Sequence, residues 1–408
     1  MTLREELEIL RGEPIQVFTG DPQEIPCNET SDAEKLCKNP MVSVWMITYN
    51  HEPYIRQAIE GVVMQKTDFE YELVIGEDCS TDRTREICFE YQRKYPDKIR
   101  VLWSNQNLYR NPHPAGGNSQ RTMAHCRGEF IALCEGDDYW IDPLKLQKQV
   151  DIMRKHPTVG FCFCGSKRYF QHENRYDVWN ANDEMYHAGI QEKNAFFLPF
   201  LLGSPPGRAP MRWAGFLMTA TTMIRKRLYQ TLRELYDIFN WRLRLGDATL
   251  WLGASSLMDG YYLSDVVSVY RISNSGVFQN PQTRNGVYID GIIVRLYYFR
   301  KCFNLELTYF PANIFFSFLC NRINSFKSKS DCRKYAWNLL RLPSETRKSV
   351  FRCGFILFWI LATCMLFNRL TRSVAYRIAW HGKGKKLRDQ WNPRVLVLYD
   401  KAGIIASV

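Results

Sequence analysis

The feature that most constrains this chain is a short apolar run that recurs four times, each copy closing on a polar turn. The runs are VSVWMIT at 42–48, YELVIGE at 71–77, IRVLW at 99–103 and FIALC at 130–134. Near-continuous apolar stretches of this length read as strands buried on both faces, as a parallel sheet requires. Helix-length stretches separate them at 53–65, 81–94 and 119–126, and another follows at 143–155. Pro53 suits the first turn of the first helix. Ser80 and Asp82 are available to cap the second. Leu144, Leu146, Val150 and Met153 mark an inner face on the last. Such alternation predicts an α/β fold: a mostly parallel, Rossmann-like central sheet flanked by helices.

The rest of the chain is read around that unit. Residues 1–10 are acidic, have no long apolar stretch and so do not read as a secretory signal. Leu3, Leu7 and Leu10 predict a short amphipathic helix there. Residues 11–40 are polar and punctuated by proline, a lead-in segment. Residues 203–212 (GSPPGRAPMR) read as a loop, 217–224 (LMTATTMI) as a strand, 247–257 as a helix and 266–272 as a strand. From about Tyr288 the chain reads as helical and basic. The expected organisation is a lead-in over 1–40, an α/β domain over 41–280 and a basic helical region over 281–408.

Composition narrows the class. Of 408 residues 46% are hydrophobic and 24% charged, which excludes disorder, collagen and low-complexity architectures. A mean hydropathy of −0.33 excludes a polytopic membrane protein. Thirteen cysteines, odd in number and scattered, point to free thiols in a reducing compartment. Charge is uneven: residues 281–408 carry 22 basic and 6 acidic side chains, leaving 32 and 36 for residues 1–280. A cationic tail implies a polyanionic partner. Residues 353–367 form an uncharged run of 15, short of the roughly 20 needed to span a bilayer. With the aromatic-rich run 313–320 and the polybasic 381–386, it suits an anionic cytoplasmic leaflet. The expectation is a cytoplasmic protein held peripherally at the inner membrane face. A buried helical hairpin is the alternative, and a spanning helix the next. No nucleic-acid recognition module is visible, so no nucleic-acid partner is expected.

In open α/β sheets, ligands bind beyond the carboxyl ends of the strands. There the sequence places Thr48-Tyr49-Asn50-His51, then Glu77-Asp78-Cys79-Ser80-Thr81-Asp82, then Glu135-Gly136-Asp137-Asp138-Tyr139-Trp140. Carboxylates gathered at one edge repel each other unless a cation neutralises them. Mg²⁺ or Mn²⁺, hard cations completed by substrate phosphates, fit that requirement. The plainer alternative is that Asp82 and Asp137 cap helices and Asp138 is solvated. Cys162 and Cys164 lie on a strand-like run without further ligands at zinc spacing, and read as core. His51 lines the pocket or is structural. No glycine-rich phosphate loop is present.

Three blocks carry a family resemblance: VSVWMITYNHEPYIRQAIEGVVMQ, ELVIGEDCSTDRTREI and RGEFIALCEGDDYWIDPLKLQKQV. With their spacing, over roughly residues 41–160, they resemble glycosyltransferase family 2 of the GT-A fold. Within it, the chain resembles the bacterial surface-polysaccharide branch with the EGDDYW motif. The resemblance implies nucleotide contacts at Thr48 and Asn50, and a base-binding carboxylate at Asp78 with Glu77 beside it. It implies a DxD-type pair, Asp137 and Asp138, for the ribose and a divalent metal (Mn²⁺ or Mg²⁺). Trp140 falls where a ring can stack on a sugar, though a core role suits it equally. More loosely, Thr222 falls on the acceptor side, Asp247 on the catalytic base and Arg271 where it can pair with the donor diphosphate. A helix cap at Asp247 is compatible with the base role.

Three positions depart from the family pattern. Glu135 stands where many members carry Asp, and Ser273 where a His is frequent. Ala209 precedes Arg212-Trp213 where processive members have Gln. The implied reaction is inverting, metal-dependent transfer of one or a few sugars from a nucleotide-diphosphate sugar, a UDP-sugar first among donors. The acceptor is a glycan or a polyprenyl-linked hydroxyl. Two rivals stay open: a non-catalytic sugar- or nucleotide-binding scaffold, and a nucleotidyltransferase. The latter needs a basic glycine-rich loop after the first strand, which TYNHEPY is not.

Overall fold

The computed structural model describes residues 1–179, 187–193, 217–244, 246–273 and 281–303, with scattered positions between 331 and 344. In chain order its strands are β1 (Asn28–Thr30), β2 (Val42–Thr48), β3 (Tyr71–Glu77), β4 (Ile99–Trp103), β5 (Phe130–Leu133), β6 (Tyr139–Trp140), β7 (Val159–Phe170), β8 (Arg175–Trp179), β9 (Gly189–Gln191), β10 (Met223–Arg225) and β11 (Asp259–Ile272). The helices are α1 (Leu3–Arg11), α2 (Ile55–Val63), α3 (Thr84–Lys94), α4 (Asn118–Ala124), α5 (Lys145–Lys155), α6 (Lys226–Leu235), α7 (Gly246–Leu257) and α8 (Pro281–Phe303).

The four apolar runs are the parallel heart of one sheet. β2 pairs in parallel with β3 and with β5, and β3 with β4. The full order is β1-β4-β3-β2-β5-β10-β7-β11-β6, with β8 on β7 and β9 on β11. β10 is antiparallel to both its neighbours and separates the parallel heart from the parallel β7–β11 pair. The chain starts in the middle at β2, steps outward to β3 and β4, then returns to β5 on the other side. β2 and β5 therefore flank the point where strand order reverses, and the crevice opens there.

Side-chain alternation divides the core into two layers. Val42, Val44 and Met46 of β2 face α2, α3 and α5 through Ile59, Ile87 and Val150. Trp45 and Val74 face the opposite layer, with Met123 of α4, Leu232 of α6, Trp251 of α7 and Ile293 of α8. Cys162 and Cys164 lie buried on β7, and no disulfide joins the described cysteines.

Several elements differ from the sequence expectation. α2 begins at Ile55, because the carbonyl of His51 accepts the N–H groups of Tyr54 and Ile55 in a turn that contains Pro53. The predicted strand at 217–224 is broken by a 3₁₀ turn at Thr219–Thr221, leaving strand only at Met223–Arg225. The hydroxyls of Thr221 and Thr222 donate back to the carbonyls of Met218 and Thr219, which competes with ladder bonding.

The N-terminal segment joins the fold. α1 carries a capping box between Thr2 and Glu5 and ends on Gly12 at φ 76. β1 extends the sheet edge antiparallel to β4. Arg11 Nε donates to Asp290 Oδ1 at 2.8 Å, tying α1 to α8. Asp290 is fully buried and its Oδ2 also accepts from the backbone N–H of Arg244 at 2.9 Å. The expected loop 203–212 and the runs 313–320, 353–367 and 381–386 lie outside the described residues. Among the described residues no helix is long and apolar enough to cross a membrane.

Asp290 carries the first prediction. Asp290→Ala leaves the buried Arg11 guanidinium with only the solvent-exposed Glu13, 3.4 Å away, as counter-charge and should cost about 3 kcal/mol. The paired replacement Arg11→Met with Asp290→Leu should cost much less. Urea midpoints of the three proteins decide this; equal losses in both variants would contradict it.

Candidate active site

The first two strand-end turns are locked to each other. The backbone N–H of Asn50 donates to Ser80 Oγ at 3.0 Å, and Thr81 N–H returns a bond to Asn50 Oδ1 at 2.8 Å. His51 N–H donates to Thr84 Oγ1, Glu52 N–H to Asp82 Oδ2 and Arg83 N–H to Glu52 Oε2. Asp82 also receives the N–H of Thr84 at the start of α3, but Arg83 occupies the N-cap position and neither Ser80 nor Asp82 caps the helix from there. Asn50 at φ 53 and Cys79 at φ 60 are held in the left-handed region, and each lies inside this interlock.

Glu77 and Asp78 are both buried at the end of β3. Glu77 Oε2 accepts from Arg85 Nε and its Oε1 from the N–H of Ser80, each at 2.5 Å. A carboxylate fully enclosed and paired in this way braces the turn beside Asp78. Asp78 Oδ1 and Oδ2 accept the N–H groups of Leu108 and Tyr109, at 2.7 and 3.0 Å. Asp78 thereby ties the 104–111 loop to the crevice, while burial raises its pKa. Beneath it lies Arg121, missed in the sequence and fully buried. Its Nη2 donates to the Glu77 carbonyl at 3.0 Å and to Asn118 Oδ1 at 2.7 Å. The available signal was an arginine on the inward face of a short helix.

The third turn lies against the first. Gly136 N–H donates to the carbonyl of Ile47 at 3.0 Å, and a Cβ at Gly136 would sit 2.9 Å from Thr48 Oγ1 and 3.0 Å from His51 Nδ1. Those same two atoms are buried with no hydrogen-bond partner among the described residues. Orphaned buried polar atoms are costly, and a pair of them facing one glycine turn suits a polar ligand.

Beside this turn the acids converge. Asp138 is buried, and its Oδ1 accepts the backbone N–H of Arg271 at 2.9 Å. Arg271 Nε donates to the carbonyl of Asp137 at 2.8 Å and its Nη2 to Gln57 Oε1 at 2.8 Å. Burial first, then repulsion from Asp137 and Glu135, pushes the Asp138 carboxyl well above the ordinary range. Burial, Asp137 and Asp247 push Glu135 up to about 8. Asp247, on the first turn of α7, accepts the N–H of Ala248 at 2.7 Å, and burial lifts it to about 6. Its repulsion on Glu135 places it with the β5–β6 turn, far away in sequence.

The donor set is hard oxygen with excess negative charge, so Asp137 and Asp138 fit a divalent cation on chemistry and on electrostatics. Among the described residues no three acidic, His or Cys side chains are already gathered as a closed ligand cage.

Two expected acceptor-side residues are elsewhere. Trp140 is buried, and its indole N–H donates to the Ala220 carbonyl at 2.7 Å, with Lys145 Nζ 4.1 Å from the ring centroid. Thr222 is fully buried on the 3₁₀ turn. Both belong to the core, because β6 and the 218–222 segment are packed beneath the acidic turn. The sequence also missed the aromatic ring system around Arg271. Its guanidinium lies 4.8 Å from the Tyr54 ring, 5.2 Å from Tyr139 and 5.6 Å from Tyr169.

The family profile described as "Glycosyl transferase family 2" matches residues 43–232. An uncharacterized protein of Mycobacterium tuberculosis is 43% identical over 122 residues, 30% of this chain and 34% of that protein. The chain thus spans about a third of the length of the mycobacterial relatives it matches. A Bacillus subtilis protein named as the glycosyltransferase EpsE is 32% identical over 215 residues, 52% of this chain and 66% of that one. Among solved structures, Staphylococcus aureus TarS residues 1–349 in complex with UDP-GlcNAc aligns at TM-score 0.54 and 18% identity. It covers 85% of this chain and 92% of that one. At that identity the likeness supports the fold.

The raised acids set a pH-dependent stability. Asp138 has a folded pKa above its unfolded one, so its contribution is intact below about pH 4 and is lost as pH rises through the folded value. In chelator, Asp138→Asn should therefore gain on the unaltered protein as pH goes from 5 to 8.5. The gain should be roughly 2–4 °C in Tm for each kcal/mol relieved. Differential scanning fluorimetry across that range reads it; a Tm difference constant with pH would contradict the charge account.

Proposed function

Residues 43–232 belong to glycosyl transferase family 2, and from that premise we propose that the chain transfers a sugar from a nucleotide-diphosphate sugar to an acceptor hydroxyl. The observation that carries the reading is the meeting of Glu135, Asp137, Asp138 and Asp247 at one strand-end crevice, with Arg271 as the cation set against them. TarS, similar in fold, binds UDP-GlcNAc, which supports a UDP-sugar as donor. In this reading Thr48 and His51 meet the donor through their orphaned polar atoms. Asp78 and Asn50 shape the nucleotide end by holding their loops. Asp137 and Asp138 would hold Mn²⁺ or Mg²⁺, which would supply charge neutralisation for the diphosphate leaving group.

Asp247 is the base. It takes the proton of the acceptor hydroxyl as that oxygen attacks the anomeric carbon, and the nucleotide diphosphate leaves from the opposite face. One base with no covalent nucleophile gives inversion. Burial helps, since a carboxylate with a pKa of about 6 accepts a proton more readily than an ordinary one. Arg271 steadies negative charge beside the pair and sets the backbone of the acidic turn. The acceptor is a glycan or lipid-linked hydroxyl, and the basic 281–408 region holds the enzyme at the inner membrane face.

Calorimetric titration with UDP, GDP and dTDP, each with Mn²⁺ and with chelator, tests the donor site. Metal-dependent binding of one nucleotide, abolished in Asp138→Ala, is expected; no binding of any would leave a scaffold on the same fold. Asp247→Asn should keep nucleotide binding and lose transfer by about 10²–10⁴-fold. Because the base works deprotonated, kcat/KM should rise with pH through about 6 and level above it. A profile flat from pH 5 to 8 would remove Asp247 from that role.

A further inference from the structure

β7 runs past β10 and continues outward with β8 as a hairpin. Cross-strand register there places Tyr176 opposite Tyr169, and Tyr169 opposite Arg271. Directly opposed residues share a sheet face, so these side chains form one row that ends at the acidic turn. The rings of Tyr169 and Tyr176 are 4.7 Å apart, and the hydroxyls of Tyr176 and Tyr139 are 3.1 Å apart. Tyr169 and Tyr54 hold their hydroxyls on Asn174 Oδ1 and Gln171 Oε1, both at 2.9 Å. Tyr176, at the outer end, is 54% exposed.

We infer that this tyrosine row is a binding platform for a glycan acceptor, taking a sugar unit beyond the one that receives the transferred residue. The inference rests on the sugar-transfer reading and adds the acceptor's class and place. Two strand steps put Tyr176 roughly 10 Å from Arg271, too far for the reacting hydroxyl and suited to a unit further along the same chain. A pyranose offers a face of C–H groups with partial positive charge, complementary to the negative face of an aromatic ring. Rings fixed through their own hydroxyls lose little freedom when a sugar settles on them. The surroundings disfavour a lipid partner. Arg168 is paired with Asp177 and Arg175 with Glu173, so Lys167 alone leaves the hairpin one positive charge in excess over residues 166–179, far from the cluster that an anionic leaflet recruits.

The full chain is the protein to test. Saturation-transfer NMR and titration with cellobiose, chitobiose and maltose should find millimolar binding of at least one to the unaltered protein. Tyr176→Ala should weaken it at least tenfold, and Tyr176→Phe, which keeps the ring and loses the hydroxyl bond, should stay within threefold. Thermal unfolding confirms that both variants are folded. No disaccharide binding, or equal binding by the Ala variant, overturns the platform. Loss of phosphatidylglycerol-vesicle binding in Tyr176→Ala without loss of sugar binding assigns the face to lipid and also overturns it. UDP binding by the unaltered protein reports on the transfer reading separately, so the two can fail independently.

Discussion

The fold has to keep mutually repelling acids together at the edge of a sheet. Glu135, Asp137 and Asp138 follow one strand within four residues, and Asp247 arrives from a helix more than a hundred positions later. Left alone, such a turn opens toward water. Two contacts prevent it. Arg271 gives its backbone N–H to Asp138 and its Nε to the Asp137 carbonyl. Gly136 seats its N–H on β2 where any side chain would collide with Thr48 and His51. The remaining repulsion appears as raised carboxyl pKa values at Glu135 and Asp138.

The other two turns are stiff for a different reason. Their side chains satisfy each other's backbone donors, through Asn50, Glu52, Ser80 and Asp82, so neither loop moves alone. Glu77 with Arg85, and Asp78 with the 104–111 loop, extend that interlock inward. Acids that first read as ligand contacts are thus divided between holding the crevice and facing it. Glu77 is enclosed with the Arg85 guanidinium, whereas Asp137 stays half-buried at the mouth beside the buried Asp138.

The N-terminal segment gains its place from α8. Arg11, Arg244 and Asp290 join three stretches that are distant in sequence, and Tyr335 adds a hydroxyl bond to the Leu10 carbonyl. No periodicity announces this, because a buried ion pair is specified by two partners at once and each alone reads as an ordinary surface charge.

By itself the sequence determined the parallel heart of the sheet and which turns form the crevice. Apolar runs of strand length can be buried only between two helical layers, and the acids that close them must then share one edge. The family blocks over residues 41–160 carried the rest of that reading. Tertiary structure alone decided which acids are enclosed with a partner, that Trp140 and Thr222 are buried, and that Tyr169 and Tyr176 align with Arg271. Those outcomes depend on register between strands far apart in the chain. Register is set by the packing of whole faces, which no local pattern of residues contains.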